Sequence, residues 1–307
     1  MKELTAIGVP MHLPVESFLD NLRTQEGFSA RTMKAYANDT NQFYKFLLLA
    51  QANPPRIADF NKTLIKKFLE SELYGGKQRN TVLRRLASLR QFSKYLKDNG
   101  LIDNDPTADQ WLPERRKRRR IWKSRKPKII VDKEIERVLK LMAEKNSARA
   151  LRDQAIFRVM LESGMLVNTL VGIDVSEIDI PNLRVWVIPE GFNHGYWLNI
   201  PRSTQYVSKY MLEGRPNLTD VRFEEALFVS QMGGRITRQA VWWALRNWGK
   251  LAKLKLNLTP RLVRQTAAAA MLARKLRLKE IQKLLGHRNL FSTRALLKRI
   301  SAAPLSK

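Results

Sequence analysis

The 307-residue chain contains no cysteine and few acidic residues. Without thiols it has no disulfide, no cysteine nucleophile and no cysteine-based zinc site, and we expect neither a metal nor a cofactor. No apolar run approaches the roughly 18 residues that span a membrane. The first residues, MKELTAIGVPMHLPVESF, lack the continuous apolar core of a secretory signal. These absences predict a soluble, cytoplasmic protein with no membrane partner.

Positive charge is abundant. Lys and Arg number 56 against 28 Asp and Glu, which gives a net charge of +28. An excess of this size predicts a polyanionic partner, either nucleic acid or an anionic membrane surface. Because the charge is spread through the whole chain and not confined to one amphipathic helix, we favour nucleic acid and expect a nucleoid-associated protein.

The first third of the chain has a helical pattern. Apolar residues recur every three to four positions from Val15 to about Asn99. SARTMKAYANDTNQFYKFLLLA opens with Ser29 as a helix N-cap, and KQRNTVLRRLASLRQFSKYLKDNG ends at Gly100, a typical C-terminal stop. We predict a compact bundle of about four helices in residues 1–111.

A dense basic run, PERRKRRRIWKSRKPK, follows this bundle. Like charges at this density repel one another, so we predict an extended linker over residues 112–128. The run is either a solvated loop or localisation signal, or a strap along a phosphate backbone. We favour the strap, because the folded units on both sides are basic.

Residues 129–307 are predicted to form a second, mainly helical unit. LRVWVIPEGFNHGYWLNIP has aromatic and alternating apolar residues on both sides of EGFNHG, which predicts a β-hairpin. ALFVS is predicted to be a further strand, and helices resume from TRQAVWWALRNW onward. The three tryptophans of TRQAVWWALRNW, which are Trp242, Trp243 and Trp248, either belong to the core or stack on bases, and we predict that they belong to the core.

Five segments in order resemble the tyrosine recombinase (phage integrase) family over about residues 15–300. They are SARTMKAYANDTNQFYKFL, TVLRRLASLRQFSKYLKDNGLIDNDPT, GGRITRQAVWWALRNW, LTPRLVRQTAAAAM and LLGHRNLFSTRAL. The resemblance implies a mainly α fold with a small β-sheet or hairpin. It also implies a two-domain clamp made of a helical core-binding domain and a catalytic-like domain. In that family a tyrosine attacks a phosphodiester, while arginines, histidine-type groups and a lysine hold the phosphate and move protons.

The resemblance assigns six positions, and two of them match the family, Arg264 in RLVR and His287 in LLGH. The other four depart from it. These are Leu166 for the first arginine, Glu190 for the hairpin lysine, Arg261 for a histidine and Leu296 for the tyrosine. No tyrosine follows residue 210, and Ser292 and Thr293 lie too close to His287 in sequence to replace the nucleophile. His194 is either a substitute for the lysine or a turn residue without a role.

From these departures we predict a recombinase fold without strand-cleavage chemistry, and so a non-enzymatic, sequence-specific binder of double-stranded DNA. It would act as a transcriptional regulator or repressor, or as an accessory factor, of a phage or mobile element. Its partners would be duplex DNA and either a second copy or an active recombinase. The alternative is an active site-specific recombinase with a displaced or partner-supplied nucleophile.

The predicted DNA contacts come from basic and amide side chains, because Arg, Gln and Asn read base edges and Lys and Arg bind phosphates. Arg264 either holds a phosphate or pairs with an internal carboxylate, and His287 either shares that phosphate or packs in the interior. The complete predicted set is Ser29, Arg31, Lys34, Lys77, Gln78, Arg79, Asn80, Arg84, Arg115, Arg116, Lys117, Arg118, Arg119, Arg120, Lys123, Arg235, Thr237, Arg238, Gln239, Arg246, Arg261, Arg264 and His287.

Overall fold

A computed structural model describes residues 9–24, 30–50, 53–108, 128–189, 192, 194–220 and 224–301. The chain divides into two compact units, Met1–Arg120 and Ile121–Lys307, and each is described by itself. Within the described ranges, no helix is long and apolar enough to cross a membrane. The predicted basic linker up to residue 127, with its candidate residues Arg115–Arg120 and Lys123, lies outside the described residues, as do Ser29 and Glu190.

The first unit contains the helices α1 (His12–Thr24), α2 (Ala30–Ala50), α3 (Lys62–Tyr74) and α4 (Arg79–Asp98). Aromatic rings join them, since Phe43 contacts Phe68 edge to face at 5.3 Å and Phe18 contacts Phe92 at 5.2 Å between centroids. Rings of this size remove much apolar surface from water, which stabilises the bundle. After α4 the chain turns at Gly100, whose φ of 66° suits glycine.

The second unit contains α5 (Asp132–Lys145), α6 (Ala148–Ser163), α7 (Val167–Gly172), α8 (Thr204–Lys209), α9 (Arg238–Leu251), α10 (Pro260–Ala273), α11 (Leu278–Leu285) and α12 (Leu290–Ser301). A short π-turn and a 3₁₀ turn extend α8 through residues 210–217. Helix α6 lies at the centre of this unit, since most of its residues are buried on all sides.

A three-stranded antiparallel sheet completes the second unit: β1 (Ile178–Asp179), β2 (Arg184–Val187) and β3 (Tyr196–Asn199). Val187 pairs with Tyr196 and Trp186 with Trp197, so β2 and β3 form the predicted hairpin. The structure therefore confirms the mainly helical, two-domain fold with a small sheet.

Two predictions about the second unit are wrong. ALFVS is not a strand, because Ala226 and Val229 make only isolated bridges, to Asp174 and Arg235. Trp248 is buried, with its indole nitrogen 2.8 Å from Asp153 Oδ2, but Trp243 is 63% exposed and not in the core. Helical periodicity places Trp243 on the solvent face of α9. The prediction relied on its apolar character alone and not on its position around the helix.

Candidate nucleic-acid interface

Arg264 joins the ends of two helices to the middle of a third. Its Nη1 donates to the carbonyl oxygens of Gly164 and Leu285, each at 2.6 Å. Those oxygens lie at the carboxyl ends of α6 and α11, where backbone acceptors lack helical partners and the helix dipole favours a cation. The contact is with carbonyls and not with the internal carboxylate considered above.

The pKa of the Arg264 guanidinium is lower than that of an exposed arginine. Burial lowers this pKa to about 10, and the nearby Tyr196 hydroxyl opposes that shift. Arg264 therefore stays cationic at neutral pH. In the described part of the chain, its Nε and Nη2 make no protein hydrogen bond, which leaves them for an external acceptor. A phosphate oxygen is the acceptor that a fixed guanidinium matches best.

His287 follows the turn that ends α11. Gly286 makes this turn with a φ of 64°, and the His287 amide donates to Gln282 O at 3.1 Å. The ring Nδ1 lies 2.9 Å from the hydroxyl of the fully buried Thr293. Burial, and then the charge of Arg264, lowers the pKa of His287 to about 4. The imidazole is therefore neutral at pH 7, and Nε2 is the nitrogen left to exchange one hydrogen bond with a ligand.

Two of the positions that the sequence predicts to correspond to the family's chemical groups hold apolar residues. Leu166 is the N-cap residue of α7, two residues beyond Gly164, and is 36% exposed. Leu296 packs against the small core formed by α10, α11 and α12. Arg261, one turn before Arg264 on α10, is exposed to solvent. The structure thus brings Arg264, His287 and Leu166 to one region of the second unit.

Tyr196 belongs to the same region, and the sequence reasoning missed it. Its hydroxyl donates to Lys283 O at 2.6 Å, and the Lys283 ammonium lies 5.3 Å from the centre of its ring. Burial raises the pKa of Tyr196, and the charge of Arg264 opposes this shift. The hairpin was the available signal, since Tyr196 is the first residue of β3 after the EGFNHG loop. His194, in that loop, is exposed.

The start of α4 presents an exposed polar cluster on the first unit. Lys77, Gln78, Arg79 and Asn80 are all exposed, and Lys34 of α2 is exposed as well. The side chain of Arg31 lies outside the described residues. The four residues at the start of α4 are open to solvent, and their role in DNA contact stays a prediction.

Arg84 differs from the other residues of this cluster. Its Nη1 forms an ion pair with Asp39, which is fully buried and also accepts a hydrogen bond from Ser88 at 2.8 Å. Arg85 follows it and lies 2.6 Å from a carboxylate oxygen of Glu72. These pairs join α4 to α2 and α3, so Arg84 has an internal partner that competes with base contact.

The candidate residues on α9 and just before it separate into two groups. Arg235 donates to Val171 O at 3.0 Å and pairs with Asp174, and Thr237 caps the helix by accepting from the Ala240 amide at 3.1 Å. These two have structural partners. Gln239 is exposed, Arg238 is partly exposed, and Arg246 lies 5.2 Å from the centre of the Trp242 ring.

Comparisons with known proteins agree with this architecture. The profile described as Phage integrase family matches residues 128–297, and that described as Phage integrase, N-terminal SAM-like domain matches residues 15–100. Tyrosine recombinase XerC of Herpetosiphon aurantiacus is 26% identical over 291 residues, covering 92% of this chain and 89% of that protein. Tyrosine recombinase XerD of Pseudomonas aeruginosa is 27% identical over 282 residues, covering 92% and 91%.

A solved structure shares the fold. The lambda integrase (75–356) dimer bound to a COC′ core site superposes with a TM-score of 0.72 at 14% identity, covering 97% of this chain and 98% of that one. At this identity the likeness concerns the fold alone.

The relatives contradict the prediction of a non-enzymatic regulator or repressor. They align with nearly the whole chain and carry the names of recombinases, which are enzymes. The prediction looked for each catalytic group only at the position that the family spacing assigns. Catalysis requires that the group lie near the reacting phosphate, and a residue on another element or subunit can also lie there.

Proposed function

We propose, from the premise that this chain belongs to the phage integrase family of tyrosine recombinases, that it cuts and rejoins duplex DNA at specific sites. One observation carries the proposal: relatives named tyrosine recombinases align with 91–92% of the chain, across both units. Since Leu296 occupies the family's nucleophile position, the attacking hydroxyl is displaced within this chain or supplied by a partner subunit.

The second unit supports phosphate chemistry. Arg264 offers a fixed cation whose free N–H groups suit two phosphate oxygens, and such donors stabilise the charge that develops on a pentacoordinate phosphorane. Neutral His287, oriented by Thr293, offers one further hydrogen bond at Nε2. Leu166 supplies no cation, so Arg264 carries more of the phosphate binding than it would beside a second arginine.

Both units contribute to DNA binding in this proposal. The exposed start of α4, with Arg79 and Asn80, and the start of α9, with Arg238 and Gln239, carry side chains that match guanine and adenine edges. Residues 1–111 serve as a DNA-binding domain, 112–128 as a basic strap and 129–307 as the catalytic domain. A second copy of the chain is the expected partner on the duplex.

The test has two steps. Selection from a random duplex library identifies the preferred sequence, and a nicked suicide duplex of that sequence is then incubated with the full-length chain. We expect a covalent protein–DNA adduct, because the nick releases a short fragment and blocks rejoining. Arg264→Ala should abolish the adduct, whereas the matched control Arg274→Ala, an exposed residue at the end of α10, should form it normally.

The result decides between enzyme and binder. A selected duplex that binds tightly but never becomes attached to the protein, in the presence or absence of extra subunits, would show that the chain does not cleave DNA.

A further inference from the structure

The second unit has three tyrosines, and two of them are unsuited to attack a phosphate. Tyr210 is fully buried, and its hydroxyl accepts from the Val229 amide at 3.2 Å. Tyr206 lies 4.4 Å beneath the Arg158 guanidinium, in a groove lined by α5, α6 and α8. Neither residue contacts Arg264 or His287. Tyr196 is the remaining tyrosine of this unit, and it is partly exposed.

The hydroxyl groups that lie near His287 in the sequence already have hydrogen-bond partners. Thr293 is completely buried, and its hydroxyl is the partner of His287 Nδ1. Ser292 bonds Asn289 Oδ1 at 3.0 Å, in the turn that opens α12. Thr293 therefore orients the imidazole and has no access to DNA, and Ser292 is part of a helix cap.

Tyr196 has the surroundings that a displaced nucleophile requires. Its hydroxyl bonds the Lys283 carbonyl on α11, three residues before Gly286, and a Cβ built on Gly286 would lie 3.8 Å from that hydroxyl. His287 is the next residue. Arg264 is bound to the carbonyl of Leu285 in the same turn, and its charge opposes the rise in the pKa of Tyr196 that burial causes. The tyrosine, the guanidinium and the imidazole thus converge on one short turn.

We propose that the Tyr196 hydroxyl is the attacking group of the strand-cleavage reaction, an inference that rests on the function proposed above. The hydroxyl exchanges the Lys283 carbonyl for the scissile phosphate. The bond from Tyr196 Oη to phosphorus forms, the bond from phosphorus to the 5′ oxygen breaks, and the phenolic proton passes by way of His287 Nε2 to that oxygen. Arg264 and the Lys283 ammonium balance the added negative charge. No external acid, base or oxidant is consumed.

Local packing fixes where this hydroxyl lies. Gly195 precedes Tyr196, and a Cβ on Gly195 would lie 2.4 Å from Trp186 Nε1, so only glycine fits against that indole. Tyr196 pairs with Val187 across the hairpin, and the ring of Phe192 packs at 6.4 Å. The hairpin thus presents the phenol to α11 in one orientation, which is the preorganisation that an attacking group requires.

The experiment uses the full-length chain and the nicked form of the duplex recovered by selection. Tyr196→Phe keeps the ring and removes the hydroxyl, and Tyr206→Phe is the matched control. We expect Tyr196→Phe to reduce adduct formation by at least roughly 1,000-fold, as loss of a nucleophile does. Both variants should bind the uncut duplex as the original chain does. Mass spectrometry of the digested adduct should locate the nucleotide on the peptide that contains Tyr196.

Other outcomes separate the two proposals. An adduct on a different residue, including the 87%-exposed Tyr74 of the first unit, or an undiminished adduct with Tyr196→Phe, would overturn the role of Tyr196 and leave the recombinase function standing. Failure of the unmodified chain to form any adduct would overturn both. Loss of duplex binding by Tyr196→Phe would assign the hydroxyl to anchoring α11 and so refute the proposal.

Discussion

At the residue scale, the candidate site depends on groups whose charge is set by burial. Arg264 keeps its charge at neutral pH, because burial lowers its pKa only to about 10, and two helix-end carbonyls accept hydrogen bonds from it. His287 loses its charge, because burial and Arg264 both disfavour the protonated ring. The pair therefore offers one permanent cation and one neutral imidazole, so in the proposed reaction His287 starts unprotonated at neutral pH.

The pKa of His287 provides a direct check on this arrangement. The chain has only three histidines, so their imidazole C2 protons are resolvable by NMR, and the His287 signal is the one that disappears in His287→Gln. We expect it to titrate with a midpoint near pH 4. In Arg264→Gln the midpoint should rise but stay below 6.5, because burial remains. A midpoint at or above 6.5 in the unmodified chain would contradict the enclosed environment.

The same shift has a consequence for stability, and its sign follows from linkage. The folded chain resists protonating His287, while the unfolded chain protonates near pH 6.5, so the unfolded state binds more protons between these values. The free energy of unfolding should therefore fall as the pH is lowered from 6.5 towards 4. His287→Gln should make this fall smaller.

At the element scale, α6, α10 and α11 meet at Gly164. This residue ends α6 with a φ of 64°, and its carbonyl accepts from Arg264. A Cβ built there would lie 2.7 Å from Leu285 Cδ2 and 3.3 Å from Ala267 Cβ. Gly164 thus ends α6, packs against the core and provides a carbonyl acceptor for Arg264.

Gly164→Ala should therefore destabilise the second unit by more than backbone strain alone. The left-handed φ costs about 1–2 kcal/mol, and the clash adds about 1–3 kcal/mol. Gly233→Ala is the control, because Gly233 also has a positive φ, of 87°, but no atom lies closer than 3.5 Å to the added carbon. Thermal unfolding of both variants measures the difference. Equal losses would show that the core at Gly164 has room to adjust.

Sequence patterns predicted the elements that depend on local order. The hairpin, the four-helix first unit and the site residues Arg264 and His287 all follow from periodicity, turn residues or motif spacing. Contacts between distant positions were not predictable. Tyr196 meets Lys283 across 87 positions, and Arg84 meets Asp39 across 45. No local pattern encodes such pairs, so neither the contact of Tyr196 nor the internal partner of Arg84 was predicted.

At the scale of the whole molecule, the net charge of +28 governs how the chain meets a polyanion. Exposed cations occur on both units, for example Lys34 and Arg79 on the first and Arg261 and Lys298 on the second. Cations that neutralise phosphates release condensed counterions, so their contribution to affinity decreases as salt increases. Arg84 and Arg235 form internal ion pairs with Asp39 and Asp174, so a count of exposed cations that could bind phosphates leaves these two arginines out.

The salt dependence of DNA affinity therefore tests phosphate contacts separately from base contacts. If about six phosphates are bound, affinity for the selected duplex should fall by about 10³-fold between 50 and 200 mM salt. Arg264→Ala should weaken binding to all sequences and reduce the slope by about one contact, whereas Arg79→Ala should mainly reduce preference for the selected sequence. Lys140→Ala, whose ammonium is paired with Glu144, should change neither. Fluorescence anisotropy with labelled duplexes measures both quantities. A nearly flat salt dependence would mean that the excess charge does not meet the phosphate backbone, because counterion release follows from phosphate contact whatever sequence is bound.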